Sequence, residues 1–153
     1  IVRWPGKAPA GRTSKHIAYF GDVLATAAEI AGVKDVPKTD GISFLPAILG
    51  KTKEQKRHKY LYWEFYERGS AQAVRMGRWK GVVKPLGSER VELYDLDTDI
   101  GEQNNIADEH ADVVARIRAA IKEAHVPSPD WKVRKRRGKK KRKTPARKQR
   151  STP

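Results

Sequence analysis

The chain has 153 residues, enough for one domain or for the end of a larger one. Of its 33 lysines and arginines, against 18 acidic residues, thirteen lie from Lys132 onward with no acid among them. Hydrophobic residues at 38% argue against a fully disordered chain, and the absence of cysteine excludes disulfides, zinc-thiolate sites and thiol catalysis. No apolar run is long enough to span a membrane, and no signal peptide is visible.

The first strong pattern is helical and runs from Phe20 to Ala31, where apolar residues recur every three or four positions. We expect Asp22 to act as the N-cap, because its carboxylate can accept from unpaired amides of the first turn. Gly32 is expected to end the helix in the left-handed conformation. The apolar face of this helix needs a surface to pack against, and little before residue 60 supplies one.

The flanking segments carry weaker signals. Ile1–Trp4 is expected to be the end of a strand, and 42–49 to contain a short turn of helix. The chain begins at Ile1, and its single methionine is internal, at position 76. Together with the unpartnered helix face, this start predicts that the sequence is a fragment.

The second half predicts an antiparallel sheet followed by a helix. Apolar residues alternate with polar ones, and the connections are short, which favours a meander of sequential neighbours. The four predicted strands cover 60–66, 71–76, 79–84 and 90–95, and the helix 109–124 with Asp108 as its cap. The sequence therefore predicts an α+β unit, a four-stranded antiparallel sheet packed by a C-terminal helix.

Metal sites and self-sufficient active sites are not favoured by the motifs. The acidic run Asp95, Asp97, Asp99 and Glu102 suggests a calcium loop, but Ile100 and Ile106 stand where that loop needs Gly and Glu. A turn rich in side-chain-to-backbone hydrogen bonds is the favoured alternative. The four histidines lack ligand spacing, and the sequence has no phosphate-binding glycine loop or nucleophile elbow.

The candidate binding surface is the strand and hairpin region. Aromatic rings stack on sugars, and guanidinium groups grip sulfate, phosphate or carboxylate. A half-buried sheet with a solvated polar face is the alternative interpretation. The segment Trp63–Lys80 mixes these residue types, with Arg78, Trp79 and Lys80 at its end, and the predicted substrate-binding residues are His16, Trp63, Glu64, Tyr66, Arg68, Gln72 and Arg75. His16 is included because its segment is expected to lie near a cleft, although a surface or packing role is the alternative.

The C-terminal tail predicts polyanion binding. Thirteen positive charges would attract nucleic acid, acidic polysaccharide or an anionic membrane by counterion release, with strong salt dependence. The alternative is a disordered appendage without a partner. The predicted polyanion-binding residues are Lys135, Arg136, Arg137, Lys139, Lys140, Lys141, Arg142 and Lys143.

Five phrases, in order along residues 1–125, resemble the sulfatase family, in particular arylsulfatases and N-acetylgalactosamine-6-sulfatase. Ala25 replaces the family's usual Pro at a first-turn position that tolerates the change, and Ile100 and Ile106 are mild departures. The phrases are Val2–Lys7, Asp22–Thr26 with Ala31 and Gly32, Asp40–Pro46, Ala73–Lys80, and Glu92–Leu96 with Asp99, Glu102 and Asn105.

The resemblance implies a parent protein with the α/β, alkaline-phosphatase-like sulfatase fold. It assigns 1–50 to the end of the catalytic domain, 51–59 to a charged linker, 60–126 to a small C-terminal α+β subdomain and 127–153 to a disordered basic tail. In the family the small subdomain borders the active-site cleft and contributes to substrate choice. We therefore expect Trp63–Gln72 to line an outer pocket.

The resemblance also implies a catalytic chemistry whose residues do not occur in this chain. Sulfatases hydrolyse sulfate esters with a formylglycine, made from Cys or Ser in a C/S-x-P-x-R motif, and a calcium ion held by Asp and Asn. No such motif occurs here, so no catalytic residue or metal ligand is carried over and the fragment alone is predicted to be inactive. The complete enzyme is expected to act on a sulfated sugar or aryl compound and to be periplasmic or secreted. A non-catalytic module that binds polyanions through its tail is the alternative.

Overall fold

The structure is a computed structural model that describes residues 1–67 and 69–130. Its elements, in chain order, are α1 (Asp22–Ala31), α2 (Leu45–Ile48), β1 (Leu61–Phe65), β2 (Ala71–Met76), β3 (Trp79–Val83), β4 (Val91–Asp95), a 3₁₀ turn (Ala107–Glu109) and α3 (Ala111–Ala124). None of the helices in the described ranges is both long and apolar enough to cross a membrane.

The four strands form one antiparallel sheet in the order β1-β2-β3-β4, so the predicted meander is confirmed. Short turns join sequential strands, which therefore pair with their neighbours in the chain. Tyr62 on β1 lies opposite Val74 on β2. Val74 in turn lies opposite Gly81 on β3, and Gly81 lies opposite Leu93 on β4. These residues share the face that packs against α3, here called the helix face, and the alternating residues form the outer face.

The hydrophobic core lies between the helix face and α3. Val74, Leu93 and Ile117 are fully buried there, and the remaining members are Val83, Val91, Val113 and Ala120. Gly81 allows α3 to approach the sheet, because a Cβ at that position would overlap Ile117 Cγ2. The alternating apolar residues of the strands and the helically spaced apolar residues of α3 thus pack in one cluster. Burial of their apolar surface stabilises this α+β unit.

The start of α3 differs from the prediction. Asp108 lies in the 3₁₀ turn and does not cap the helix, whose N-cap is His110 without a side-chain cap bond. The chain at this point is held to β4 instead, because the Ile106 N–H donates to the Leu93 carbonyl at 2.9 Å and the Asn105 Oδ1 accepts from the Leu93 N–H at 2.9 Å. These bonds fix the chain before the helix begins, so the predicted cap is displaced.

The N-terminal region is organised around Asp22, whose predicted role as N-cap is wrong. Gly21 occupies the N-cap position, and Asp22 is the first helical residue and fully buried. Its carboxylate accepts from the Tyr19 N–H at 3.1 Å and from the Ile42 N–H at 2.8 Å, and it contacts His58 Nε2 at 2.8 Å. The side chain therefore joins three separate segments instead of satisfying its own helix.

Three further expectations for this region have different outcomes. Gly32 adopts the left-handed conformation (φ 69°) and ends α1, as predicted. Ile1–Trp4 forms no strand, because no strand among the described residues lies beside it to supply the hydrogen bonds. The short helical turn expected in 42–49 is α2.

Candidate functional site

The predicted binding residues do not form one surface, because the alternation of β1 and β2 divides them. Glu64 and Gln72 are cross-strand partners on the helix face. Trp63 and Arg75 lie on the outer face, where Trp63 pairs with Ala73 and Arg75 with Leu61. The sheet therefore carries two separate polar sites, one on each side.

The site on the helix face is a hydrogen-bonded group that we call the carboxylate network. Glu64 accepts hydrogen bonds from the hydroxyls of Tyr62 and Tyr66, and its Oε1 pairs with His125 Nδ1. Gln72 Nε2 donates to the Tyr62 hydroxyl at 2.8 Å. The network joins β1 and β2 to the C-terminal end of α3, where His125 is the residue that follows the helix.

The electrostatics of this network favour an ionised carboxylate. Burial opposes ionisation of Glu64, but hydrogen bonds from Tyr62, Tyr66 and His125 outweigh it and lower the pKa of Glu64 to about 2. Burial, with the bond to Glu64, raises the pKa of Tyr62. The glutamate is thus occupied by protein donors, and its arrangement is that of a structural link between sheet and helix.

The outer face of the sheet presents aromatic and apolar surface. Trp63 and Phe65 are 40% and 55% exposed. The Tyr19 ring meets Trp63 edge to face with centroids 6.5 Å apart, and it meets His58 in the same way at 5.3 Å. Residues before α1 therefore lie over part of this face.

A cavity of about 390 Å³ lies where these N-terminal residues meet the outer face. Its walls come from 13–17, from the segment before β1 and from the β1–β2 edge, where Leu61 and Arg75 are neighbours. Its lining contains no carboxylate. We call it the basic cavity after the five basic side chains in that lining, Lys15, His16, Arg57, His58 and Arg75.

The lysine and arginine side chains of the basic cavity lack ion-pair partners among the described residues. Within residues 1–67 and 69–130, Lys15, Arg57 and Arg75 form no ion pair, whereas His58 contacts the buried Asp22. Arg75 uses its Nε to donate to the Gly77 carbonyl at 3.2 Å, which leaves its two terminal nitrogens without a hydrogen bond in the described structure. The cavity therefore concentrates the positive charge of Lys15, Arg57 and Arg75, for which the described residues supply no ion-pair partner.

His16 contributes a buried polar atom to the same region. Its ring Nε2 is buried and has no hydrogen-bond partner among the described residues. Its backbone N–H donates to the Ser14 hydroxyl at 3.1 Å. Burial lowers the pKa of His16, and the nearby His58 and Arg57 act in the same direction against the opposing effect of Asp22.

Three other residues of the segment Trp63–Lys80 have partners outside these two sites. Arg78 forms a salt bridge with Asp95, and Lys80 forms one with Glu102. Trp79 packs against the core and lies 4.9 Å, centroid to centroid, from the His110 ring. Their partners are distant in sequence, which is why composition alone grouped them with the candidate surface.

The acidic turn after β4 is a hydrogen-bonded turn, as favoured over a calcium loop. Asp99 accepts from the Gln103 N–H at 2.9 Å and the Asn104 N–H at 2.8 Å, and these bonds lower its pKa. No group of three or more potential metal ligands occurs within the described parts of the chain.

Two sets of predicted residues cannot be placed. Arg68 and the predicted polyanion-binding residues, Lys135 to Lys143, lie outside the described residues. Sequence reasoning missed Lys15, Arg57 and His58, which belong to polar segments without periodicity. The available signal was their charge, but it does not distinguish them from other surface cations.

The chain matches the family model described as "N-sulphoglucosamine sulphohydrolase, C-terminal" over residues 1–126. It therefore belongs to the sulfatase family, and the match falls on the family's C-terminal part. This confirms the resemblance drawn from the five phrases. The sheet with its C-terminal helix is the expected C-terminal unit of that fold.

The similar proteins are sulfatases. N-acetylgalactosamine-6-sulfatase of Canis lupus familiaris is 34% identical over 52% of this chain and 15% of its own length. The Delta 4,5-hexuronate-2-O-sulfatase of Bacteroides thetaiotaomicron is 30% identical over 71% of this chain and 24% of its own. The solved structure of BT1596, a 2-O GAG sulfatase, is 28% identical with a TM-score of 0.57, covering 67% of this chain and 23% of that one.

The chain is much shorter than these proteins and spans between 12% and 24% of the curated relatives that it matches. The sequence has no C/S-x-P-x-R motif, and the described residues offer no metal-ligand cluster. The residues present therefore do not fit the calcium and formylglycine of a sulfatase centre, and no catalytic step is assigned to them.

Proposed function

We propose that this chain forms the C-terminal part of a sulfatase that hydrolyses sulfate esters of a sulfated sugar. The observation that carries the proposal is the family match over residues 1–126. The relatives support the sugar, since their names describe sulfatases of N-acetylgalactosamine and hexuronate. The chain's own contribution is the sheet unit and the surfaces that it presents.

In this proposal the chemistry resides in another part of the complete enzyme. Calcium and formylglycine would be bound there, and this chain would supply substrate-contacting surface. The division into the end of a catalytic domain (1–50), a linker (51–59), a subdomain (60–126) and a basic tail (127–153) belongs to the same proposal, as does a periplasmic or secreted location. Gln55 and His58 bond to Ser43 and Asp22, so the linker is in contact with the first segment.

The proposed substrate contacts follow the two sides of the sheet. His16 and Arg75 line the basic cavity, and Trp63 adds exposed aromatic surface on the same side. Glu64, Tyr66 and Gln72 would act indirectly, since the carboxylate network holds β1 and β2 in position. The outer face is therefore the surface that we expect to meet the sugar.

Sulfate release tests the assignment of the chemistry. The chain alone is expected to release no sulfate from nitrophenyl sulfate or N-acetylglucosamine 6-sulfate, with or without added calcium. A longer polypeptide from the same gene, which joins this chain to a C/S-x-P-x-R motif, is expected to release it. The matched control changes the Cys or Ser of that motif to Ala and should be inactive. Turnover by the chain alone, or none by the longer polypeptide, would overturn the proposal.

A further inference from the structure

The basic cavity combines three features that are found together at anion sites. It is large enough for a ligand group, since about 390 Å³ lies within the range of about 300–1,000 Å³ typical of ligand pockets. Lys15, Arg57 and Arg75 line it without ion pairs among the described residues. Its lining contains no carboxylate to compete with an anion.

Cations near Arg75 on β3 and in the turn before it show that this lack of pairing is local. Lys80, the cross-strand neighbour of Arg75, and Arg78 in the turn each form a salt bridge with an acidic side chain. Lys59, two residues after Arg57, is paired with Glu123. Arg57 and Arg75 therefore differ from Lys59, Arg78 and Lys80 in having no ion-pair partner in the described structure.

His16 provides an independent observation. A buried ring nitrogen without a partner is costly, because it has lost its bonds to water and gained none from protein. The ring belongs to the lining of the same cavity as the unpaired arginines. A ligand oxygen in the cavity would supply the missing partner after a small movement of the ring.

We propose that the basic cavity binds a sulfate group, with the guanidinium groups of Arg57 and Arg75 as the main donors and His16 Nε2 as an additional one. Two guanidinium groups and an imidazole present several N–H donors, which suit the oxygens of a tetrahedral dianion. Binding also relieves the mutual repulsion of the clustered cations. The group is either free sulfate or a sulfate ester on a saccharide, and the saccharide form rests on the proposed function.

Nuclear magnetic resonance on the full chain tests the site residue by residue, so any binding by the C-terminal tail is observed separately. The probe is sodium sulfate, compared with sodium chloride at equal ionic strength. We expect saturable shifts in the amides of 13–17 and in the His16 ring, and an increase in the pKa of His16 as the dianion approaches. Shifts confined to residues after 130, or equal shifts with chloride, would overturn the proposal.

Variants separate the cavity from general surface charge. Arg57→Gln and Arg75→Gln are each expected to weaken sulfate binding by about tenfold, since each removes a charge-assisted hydrogen bond. Arg118→Gln is the matched control, because Arg118 is exposed on α3 at the other side of the sheet. Unchanged signals of Val74 and Leu93 verify that the core of each variant is intact. Equal affinity in all three variants would contradict the proposal.

The source of the sulfate is distinguished by two sugars. Tighter binding of N-acetylglucosamine 6-sulfate than of inorganic sulfate identifies an ester site, and equal binding identifies a site for the free anion. Equal binding of neutral N-acetylglucosamine would overturn the proposal. These measurements require no turnover, so failure of the cavity to bind leaves the sulfatase assignment standing, and inactivity of the longer polypeptide leaves the binding result standing.

Discussion

Residues 60–125 and residues 1–50 are held together by different interactions. In the sheet unit the fully buried side chains are apolar, as with Val74, Leu93 and Ile117. In the first region the fully buried side chain is Asp22, whereas Phe20 on the same segment is 90% exposed. A hydrophobic core therefore stabilises the sheet unit, whereas hydrogen bonds to one carboxylate organise the first region and leave its apolar surface uncovered among the described residues.

The largest expected effect comes from the core of the sheet unit. Ile117→Ala should lower the free energy of unfolding by about 3–4 kcal/mol, because it removes buried methyl groups and leaves a cavity under the sheet. Urea unfolding followed by circular dichroism measures it. Arg118→Gln, one residue away and exposed, is the control and should change stability by less than about 0.5 kcal/mol.

A substitution at Gly81 tests the same contact between sheet and helix. Gly81→Ala should destabilise the native chain, since the new Cβ would overlap Ile117 Cγ2. In the Ile117→Ala background the same change should cost less, because the overlapping atom is gone. Additive losses in the double variant would show that the two positions do not touch, contrary to the packing described.

The sheet unit could be predicted because its signals are local and repeated. The alternation of Tyr60–Tyr66 and the spacing of Val113 and Ile117 each indicate an element and a buried face. Strand order followed from short connections. The position of Glu64 within a network could not be predicted, because His125 lies 61 residues away in sequence and pattern carries no information on such pairs.

Asp22→Asn tests the first region and should have the next largest effect. The amide removes one acceptor oxygen and the charge facing His58, so we expect a loss of about 2–3 kcal/mol confined to this region. Hydrogen exchange measures it: the Tyr19 and Ile42 amides should lose protection, and those of β2 and β4 should keep it.

The exposed Asp35→Asn is the matched control for Asp22→Asn and should leave exchange unchanged. Equal acceleration throughout the sheet would show that the two regions unfold as one unit. That result would contradict the separation on which the comparison depends.

The role of Asp22 illustrates why the candidate site was only partly predictable. An aspartate at the start of a helix is normally an N-cap, and the local sequence gave no sign of Ile42 or His58 as partners. His16 and Arg75 were predicted as binding residues, but their meeting in one cavity depends on how 13–17 lies over the sheet. The residue types were visible in sequence, and their juxtaposition was not.

Glu64→Gln gives a smaller effect that depends on pH. The folded-state pKa of Glu64, about 2, is below its ordinary value of 4.5, so its contribution to stability is complete above about pH 4.5 and is lost as the pH falls toward 2. The stability difference between the native chain and Glu64→Gln should therefore be about 1–2 kcal/mol at neutral pH and shrink over that interval.

Urea unfolding of both proteins, measured from neutral to acidic pH, checks this difference. Subtracting one stability from the other cancels the response of the carboxylates that both proteins contain. Glu89→Gln is the control, because Glu89 is exposed between β3 and β4 and has no hydrogen bond within the described structure. A difference that stays constant from pH 5 to pH 2 would show that the network contributes no pH-dependent stability.

The smallest effect on stability is expected at the apolar face of α1, because this face is exposed among the described residues. Leu24 is 54% exposed, so Leu24→Gln should change the free energy of unfolding of this chain by less than about 0.5 kcal/mol and reduce binding of a hydrophobic dye. Glutamine keeps a good helix propensity, which leaves α1 intact. In a longer sulfatase polypeptide that covers this face, the same substitution should destabilise by about 2 kcal/mol, because the leucine would then be buried. A large loss in the chain alone would show that α1 is already packed there, and the contrast between the two regions would fail.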